Sequence, residues 1–386
     1  MKRNAFLALL CCLVLLSTAA LAVPSAFEMD EYVDKAFKGA KTVGGSVVIY
    51  SKGELVYARD YGMKRQRQRE PVDPNTQFRL ASISKMVTGI GLMKLVEEDK
   101  LELDTDISKY FGYKIGNGYY PKVPITLRQL MSHTASTSES GGFSANGRKL
   151  SEMLTLSLNR RSNFHNYQPG SKYTYSNFGA GIAGAMMEAV TQQSVDAYMK
   201  KAVFRPLGID AAYAASMVSN TADISNQYKD GSLYRAAKGQ IEKGYEDFPD
   251  PENHYRTTAG QVWMRSRDLA KLGALLCGDG SIDGVRILSE ESVKLMRLEQ
   301  NTLGKSVTGE SPYGLFLEHN DTFLDDRMVY GHQGMSEATI LNLYFEPESQ
   351  FVIALCQNGG SMVRQNRVGK LARNLFGYFY GIYGQP

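Results

Sequence analysis

Strand signals in this chain are confined to its two ends, and that separation restricts the possible folds more than any other feature. Gly45 to Tyr50 is a β-branched run, Ser51 to Glu54 carries a turn signal with Gly53, and Leu55 to Tyr61 is a second strand candidate, so the segment reads as a β-hairpin. Strand signals return only at Arg327 to Tyr330, Thr339 to Phe345 and Phe351 to Leu355. Between about 100 and 255 the pattern is helix and loop alone, with helical stretches at Leu127 to Ser132, Ser151 to Asn159, Gly179 to Thr191 and Asp196 to Phe204. An isolated hairpin is not stable in water, so the early hairpin must pair with the late strands. A closing helix with Val368, Leu371, Ala372, Leu375 and Phe379 on one face then covers the sheet. The expected fold is α/β: an antiparallel sheet flanked by helices, with an inserted all-α domain and a cleft between the two. The α/β part is expected at about 23–80 and 256–386, the helical part at about 81–255.

With 386 residues, 43% of them hydrophobic and 22% charged, the chain has enough apolar side chains for a deep core and is not disordered. Its first 22 residues read as a signal peptide: Lys2 and Arg3 form a basic start, an apolar stretch runs from Phe6 to Leu16, and Ala20-Leu21-Ala22 is an A-x-A cleavage site. Cys11 and Cys12 do not follow the small residues that lipid attachment requires. No later segment offers the roughly 18 apolar residues of a transmembrane helix. The expectation is a secreted or periplasmic protein without a membrane anchor after cleavage. Once Lys2 and Arg3 leave with the leader, 44 basic against 40 acidic residues become 42 against 40, a balance that argues against a nucleic-acid partner. Cys277 and Cys356 remain in apolar contexts, as buried free thiols or as one disulfide that an exported chain of this length does not need.

Ser82-Ile83-Ser84-Lys85 is the only Ser-x-x-Lys in the chain and stands where a loop enters a buried helix, Ser82 to Glu98. Residues three apart share a helix face, so the Lys85 amine can reach Ser82 Oγ, and burial would depress its pKa toward a range where it accepts a proton. The helix N-terminus adds positive potential, and the Ser82 backbone N–H can face a developing oxyanion. Alone, such a motif is expected about once or twice by chance in a chain of this length, and a surface serine beside a solvated lysine is then the better explanation.

Two further elements change the balance. Tyr175-Ser176-Asn177 follows a Pro169-Gly170 turn and precedes a small-residue helix. A phenol beside an ammonium favours its ionised form, so Tyr175 can carry a proton between Ser82 and a leaving group, while Asn177 can offer an amide to a substrate carbonyl. Most of the 23 tyrosines must nevertheless pack or lie on the surface. Gly331-His332-Gln333-Gly334 lies at the end of one strand candidate and leads into the next. Its glycines would let a substrate backbone approach. His332 would hydrogen-bond neutral groups or, when protonated, attract a carboxylate, and the Met335 N–H is the candidate second oxyanion donor. His133 reads as a helix-end histidine rather than a catalyst. No His-Glu-x-x-His, paired-cysteine or phosphate-loop pattern occurs, so neither metal nor cofactor is expected.

Ser-x-x-Lys, Tyr-Ser-Asn and His-x-Gly in this order resemble the class C β-lactamase family, which includes DD-peptidases and related esterases. Phe78-Arg79, Leu127 to Thr134, Pro206-Leu207-Gly208, Ala259-Gly260, Asp268-Leu269 and Tyr313-Gly314-Leu315 extend the likeness over nearly the whole mature chain. The resemblance implies a β-lactamase/transpeptidase-like fold and an acyl-enzyme mechanism. Ser82 would attack, Lys85 and Tyr175 would manage protons with the base left open between them, Asn177 would orient the acyl group, and the Ser82 and Met335 amides would hold the oxyanion. Two departures stand out: His332 replaces the lysine of Lys-Thr-Gly, which weakens capture of an antibiotic carboxylate, and Ala338 stands where relatives usually carry glycine. The expected substrates are D-Ala-D-Ala-type peptides of peptidoglycan or small esters. A true β-lactamase and a catalytically silent cell-wall-binding protein are the alternatives.

Overall fold

The computed structural model describes residues 23–141, 143, 147–158, 161–300, 312–336, 339–361, 363–365 and 368–384. The leader expected over residues 1–22 and the departure at Ala338 lie outside the described residues.

Val47, Val48, Ile49 and Tyr50 alternate across a strand, Gly44–Ser51, that is buried at every position but the last. A strand buried on both faces needs apolar side chains pointing both ways, which is why the run does not alternate with polar residues. It pairs with Phe351–Gln357 on one side, Val48 opposite Ala354, and with Glu54–Arg65 on the other, Val48 opposite Ala58. The whole sheet runs Glu318–Asn320, Val329–Ser336, Thr339–Glu346, Phe351–Gln357, Gly44–Ser51, Glu54–Arg65, Glu70–Pro71, antiparallel throughout. The hairpin and the late strands therefore join as expected.

One sheet face, with Val47, Ile49, Ile353 and Leu355, meets Val33, Phe37, Leu375 and Phe379 from the helices Ala26–Gly39 and Lys370–Tyr383. Each such aliphatic or aromatic side chain withdrawn from water contributes roughly 1.5–3 kcal/mol. Ser25 starts the first of these helices with a capping box, its hydroxyl accepting from Glu28 N–H while the Glu28 carboxylate accepts from Ser25 N–H. Val368, expected on the final helix, instead sits in a short strand just before it. The opposite face carries Val48, Leu343 and Val352 and packs on the helix Ser266–Cys277. Cys277 and Cys356 are free and buried, and burial pushes both thiols up to about 12, so the disulfide alternative is not formed.

The middle of the chain holds the helices Ile83–Glu97, Leu127–Met131, Asn177–Thr191 and Val195–Met199. It also holds three short strands that the helix-and-loop reading did not contain: Ala211–Ala212, Gln227–Lys229 and Ser232–Arg235. Two to four residues are too few to show a period-two pattern, so sequence alone does not reveal them. One of them matters for the site. Ala211–Ala212 pairs with Trp263–Arg265, which pairs with Gln77–Arg79, and Leu80 N–H then donates to Val262 O at 2.8 Å. This small sheet anchors the loop that delivers Ser82. Among the described residues no helix is long and apolar enough to cross a membrane.

Candidate active site

Ser82 stands at the N-cap of the helix Ile83–Glu97 in right-handed backbone conformation, and its hydroxyl makes no capping bond. The residue before it, Ala81, has φ +47°, in the left-handed region that costs an L-residue roughly 1–2 kcal/mol. Such strain persists where the surroundings over-determine the backbone. Here the Leu80–Val262 bond upstream and the helix downstream do so, and together they turn Ser82 toward a cleft of about 370 Å³ that it lines with Asn177, Ala259 and Met335.

One turn into the helix, Lys85 is fully buried. Its Nζ lies 3.2 Å from Ser82 Oγ, 2.8 Å from Asn177 Oδ1 and 2.8 Å from Ala259 O. Burial pulls its pKa down to about 7, against the upward pull of Glu139 and Glu318. A neutral amine has two N–H bonds and one lone pair. Asn177 Oδ1 and Ala259 O take the two hydrogens, which leaves the lone pair for the Ser82 O–H, so the three contacts fit an amine acting as base.

Tyr175 lies beside the same amine, Lys85 Nζ being 4.9 Å from its ring centroid. His133 holds this tyrosine in place. It ends the helix Leu127–Met131 with φ +57°, its carbonyl accepts from Thr174 N–H at 2.8 Å, and its Nδ1 accepts from Ser176 N–H at 3.3 Å. Both neighbours of Tyr175 are thus bound to one residue, and the two rings pack with centroids 4.4 Å apart. The helix-end reading of His133 agrees with this placement, but its role in fixing Tyr175 has no local sequence signal. Ser176 then caps the helix Asn177–Thr191, accepting from Gly179 N–H at 2.9 Å, so Asn177 enters the cleft from a first helical turn. The Asn177 N–H donates to Glu139, a residue the sequence did not single out.

The His332 expectation is corrected. The strand Val329–Ser336 does not end before the motif but runs through Gly331-His332-Gln333-Gly334, and His332 is 1% exposed. It does not line the cleft that Ser82 opens into. Its Nδ1 is 2.7 Å from Gln333 O, which only accepts, so Nδ1 carries the proton and Nε2 accepts from the Tyr313 hydroxyl at 2.9 Å. Burial, reinforced by Lys85, lowers its pKa to about 3, so the Glu318 carboxylate 3.5 Å from Nδ1 faces a neutral ring. Nitrogen NMR of selectively labelled protein is expected to show His332 as the neutral Nδ1–H tautomer at every pH from 5 to 8; an imidazolium signal at pH 5 would contradict this assignment.

Gly334 is corrected too. A Cβ there would lie 2.1 Å from Leu80 O, so what approaches the glycine is the chain's own backbone two residues before Ser82. Met335 borders the cleft opposite this seam and is 36% exposed. The sequence expectation therefore brought Ser82, Lys85, Tyr175, Asn177 and Met335 to one place, while His332 and Gly334 lie behind the cleft wall.

A family model described as Beta-lactamase matches residues 29–375. The chain belongs to the β-lactamase family. Protein flp of Staphylococcus aureus (strain N315) is 26% identical over 185 residues, 47% of this chain and 36% of flp, so the match spans about a third of that relative's length. A putative D-alanyl-D-alanine carboxypeptidase of Escherichia coli O157:H7 is 24% identical over 373 residues, 86% of this chain and 81% of the relative. The octameric penicillin-binding protein homologue from Pyrococcus abyssi shares the fold with a TM-score of 0.70 at 22% identity, over 94% of this chain and 78% of that one. As a β-lactamase-family protein this chain has the mixed α/β fold of the serine hydrolases of that family, with an antiparallel sheet covered by helices.

Proposed function

We propose that this β-lactamase-family protein is an exported serine hydrolase that forms an acyl-enzyme at Ser82 and acts on D-Ala-D-Ala-type peptides of peptidoglycan or on small esters. The observation that carries the reading is Lys85 Nζ 3.2 Å from Ser82 Oγ, with a pKa brought down to about 7. In the first step the Ser82 proton passes to Lys85 while Oγ bonds to the substrate carbonyl carbon. The resulting oxyanion is met by the Ser82 and Met335 backbone N–H groups. Lys85, with Tyr175 beside it, returns a proton to the leaving amine or alcohol, and the C–N or C–O bond breaks. Water then attacks the Ser82 ester, giving up a proton to the same groups, and the acid leaves with Ser82 restored. The E. coli relative's description and its near full-length match support the D-peptide substrate class.

The neutral state of His332 weighs against β-lactam hydrolysis of the class C type, because the position that holds the lysine of Lys-Thr-Gly in that type offers no charge to an antibiotic carboxylate here. A fluorophosphonate probe is expected to label Ser82 and not a Ser82→Ala variant. Nitrocefin is expected to acylate slowly with little turnover. Folded protein that resists the probe would overturn the hydrolase reading, and rapid multiple turnover of nitrocefin would replace it with a β-lactamase.

A further inference from the structure

With His332 neutral and buried, the positively charged side chains that border the cleft come from other parts of the chain. Arg79 lines the same hollow as Ser82 and stands three residues before it, at the end of the strand Gln77–Arg79. It is half-buried, and its Nε donates to Gly260 O at 3.1 Å. Among the described residues its two Nη groups have no hydrogen-bond partner and no carboxylate lies within ion-pair distance. Its electrostatic neighbour is instead a second cation, Arg235, itself turned onto the Tyr234 ring at 4.9 Å. Desolvation, with repulsion from Arg235, brings the Arg79 pKa down to about 10, so the fold holds this guanidinium charged without an internal counter-ion. Arg256 also lines the hollow, its guanidinium 5.3 Å from the Tyr255 ring centroid, and the described lining contains no Asp or Glu.

We propose that Arg79, supported by Arg256, is the subsite for a carboxylate carried by the substrate close to its scissile bond, so that the preferred substrates are anionic acyl compounds held from the Gly260 side of the cleft rather than from the His332 strand. This rests on the hydrolase reading for its biological meaning, though not for its test. A half-buried cation lacking an anion gains most from one that arrives with the ligand, because the cost of withdrawing the guanidinium from water is already met by the fold. The planar fork left free by the Gly260 bond suits the two oxygens of a carboxylate.

The experiment is calorimetry on the Ser82→Ala protein with N-acetyl-D-alanine and with its uncharged amide. The acid is expected to bind about tenfold tighter or more, the size of one charge-assisted hydrogen bond, and added salt should weaken the acid alone. Arg79→Gln in the same background should bring the two ligands within about twofold, whereas Arg79→Lys should keep part of the preference. Because each protein is compared with itself across two ligands, a general loss of stability does not imitate the result, and Arg256→Gln provides a second variant expected to reduce the ratio. Equal binding of acid and amide, binding of neither, or a preference that survives Arg79→Gln would overturn the proposal. The two readings fail separately: fluorophosphonate labelling of Ser82 without an acid preference removes only this subsite, and an acid preference in a protein whose Ser82 resists the probe removes only the hydrolase.

Discussion

Replacing Lys85 by methionine is expected to lower kcat/KM for an activated ester by roughly a thousandfold, the scale of a lost general base, while making the protein more stable at pH 6. Both effects come from one burial. The folded-state pKa is near 7 and the reference value is 10.5, so between those limits the unfolded chain holds a proton that the folded chain has released. Stability therefore rises with pH across that window, and below pH 7 the folded protein carries the full cost of a charged, fully buried amine. An apolar side chain of similar length removes that cost together with the base. For the wild type, kcat/KM should rise through pH 7 as Lys85 loses its proton, and neither His332 nor His133 contributes that limb, since burial pushes both far below it. A stopped-flow pH profile and a thermal melt at pH 6 test this. If Lys85→Met keeps the limb at pH 7, or melts below the wild type, the amine is not the group that titrates.

Gly334→Ala is expected to reduce kcat/KM by at least about a hundredfold without touching any group in the cleft. The added methyl would sit 2.1 Å from Leu80 O and 3.3 Å from Ile83 Cγ1. Leu80 cannot retreat freely, because its N–H is bound to Val262 O on the small three-stranded sheet. The strand and the Ser82 loop must then separate by an ångström or more, which displaces Ser82 from Lys85 and from the Met335 amide together. Overpacking of this kind costs typically 1–3 kcal/mol, or a few degrees of melting temperature in a chain this long. Steady-state kinetics with the same ester, read beside a melt, check it. Near wild-type kcat/KM would show that the seam tolerates the methyl and that neither the approach of Leu80 nor that of a ligand requires glycine at this position.

The parts of the site that were legible in the sequence are those fixed by local geometry. Ser82 and Lys85 are three apart on one helix, so their meeting depends on helix pitch alone. Tyr175 and Asn177 follow a turn and open a helix, and the position of each is set by neighbours within a few residues. His332 had the right spacing but not the expected exposure. Whether a histidine on a strand faces solvent or core depends on what covers it, here Tyr313 at 2.9 Å and the Gln333 carbonyl at 2.7 Å. Glu139 carried no signal, and Phe78-Arg79 and Ala259-Gly260 entered only as part of the family likeness, because the roles of these residues arise only when parts far apart in the chain are brought together.

The sequence by itself determined that strands from the two ends must join in one sheet, that helices must fill the interval, and that a serine and a lysine would share a helix face at its mouth. Those outcomes follow from periodicity and from the instability of an unpaired hairpin, both of which are local or unavoidable. Only the tertiary structure decided charge: that Lys85 titrates near 7, that His332 stays neutral, and that Arg79 has no counter-ion among the described residues. Protonation and pairing depend on distance from water and from other charges, and those distances exist only once the chain has folded.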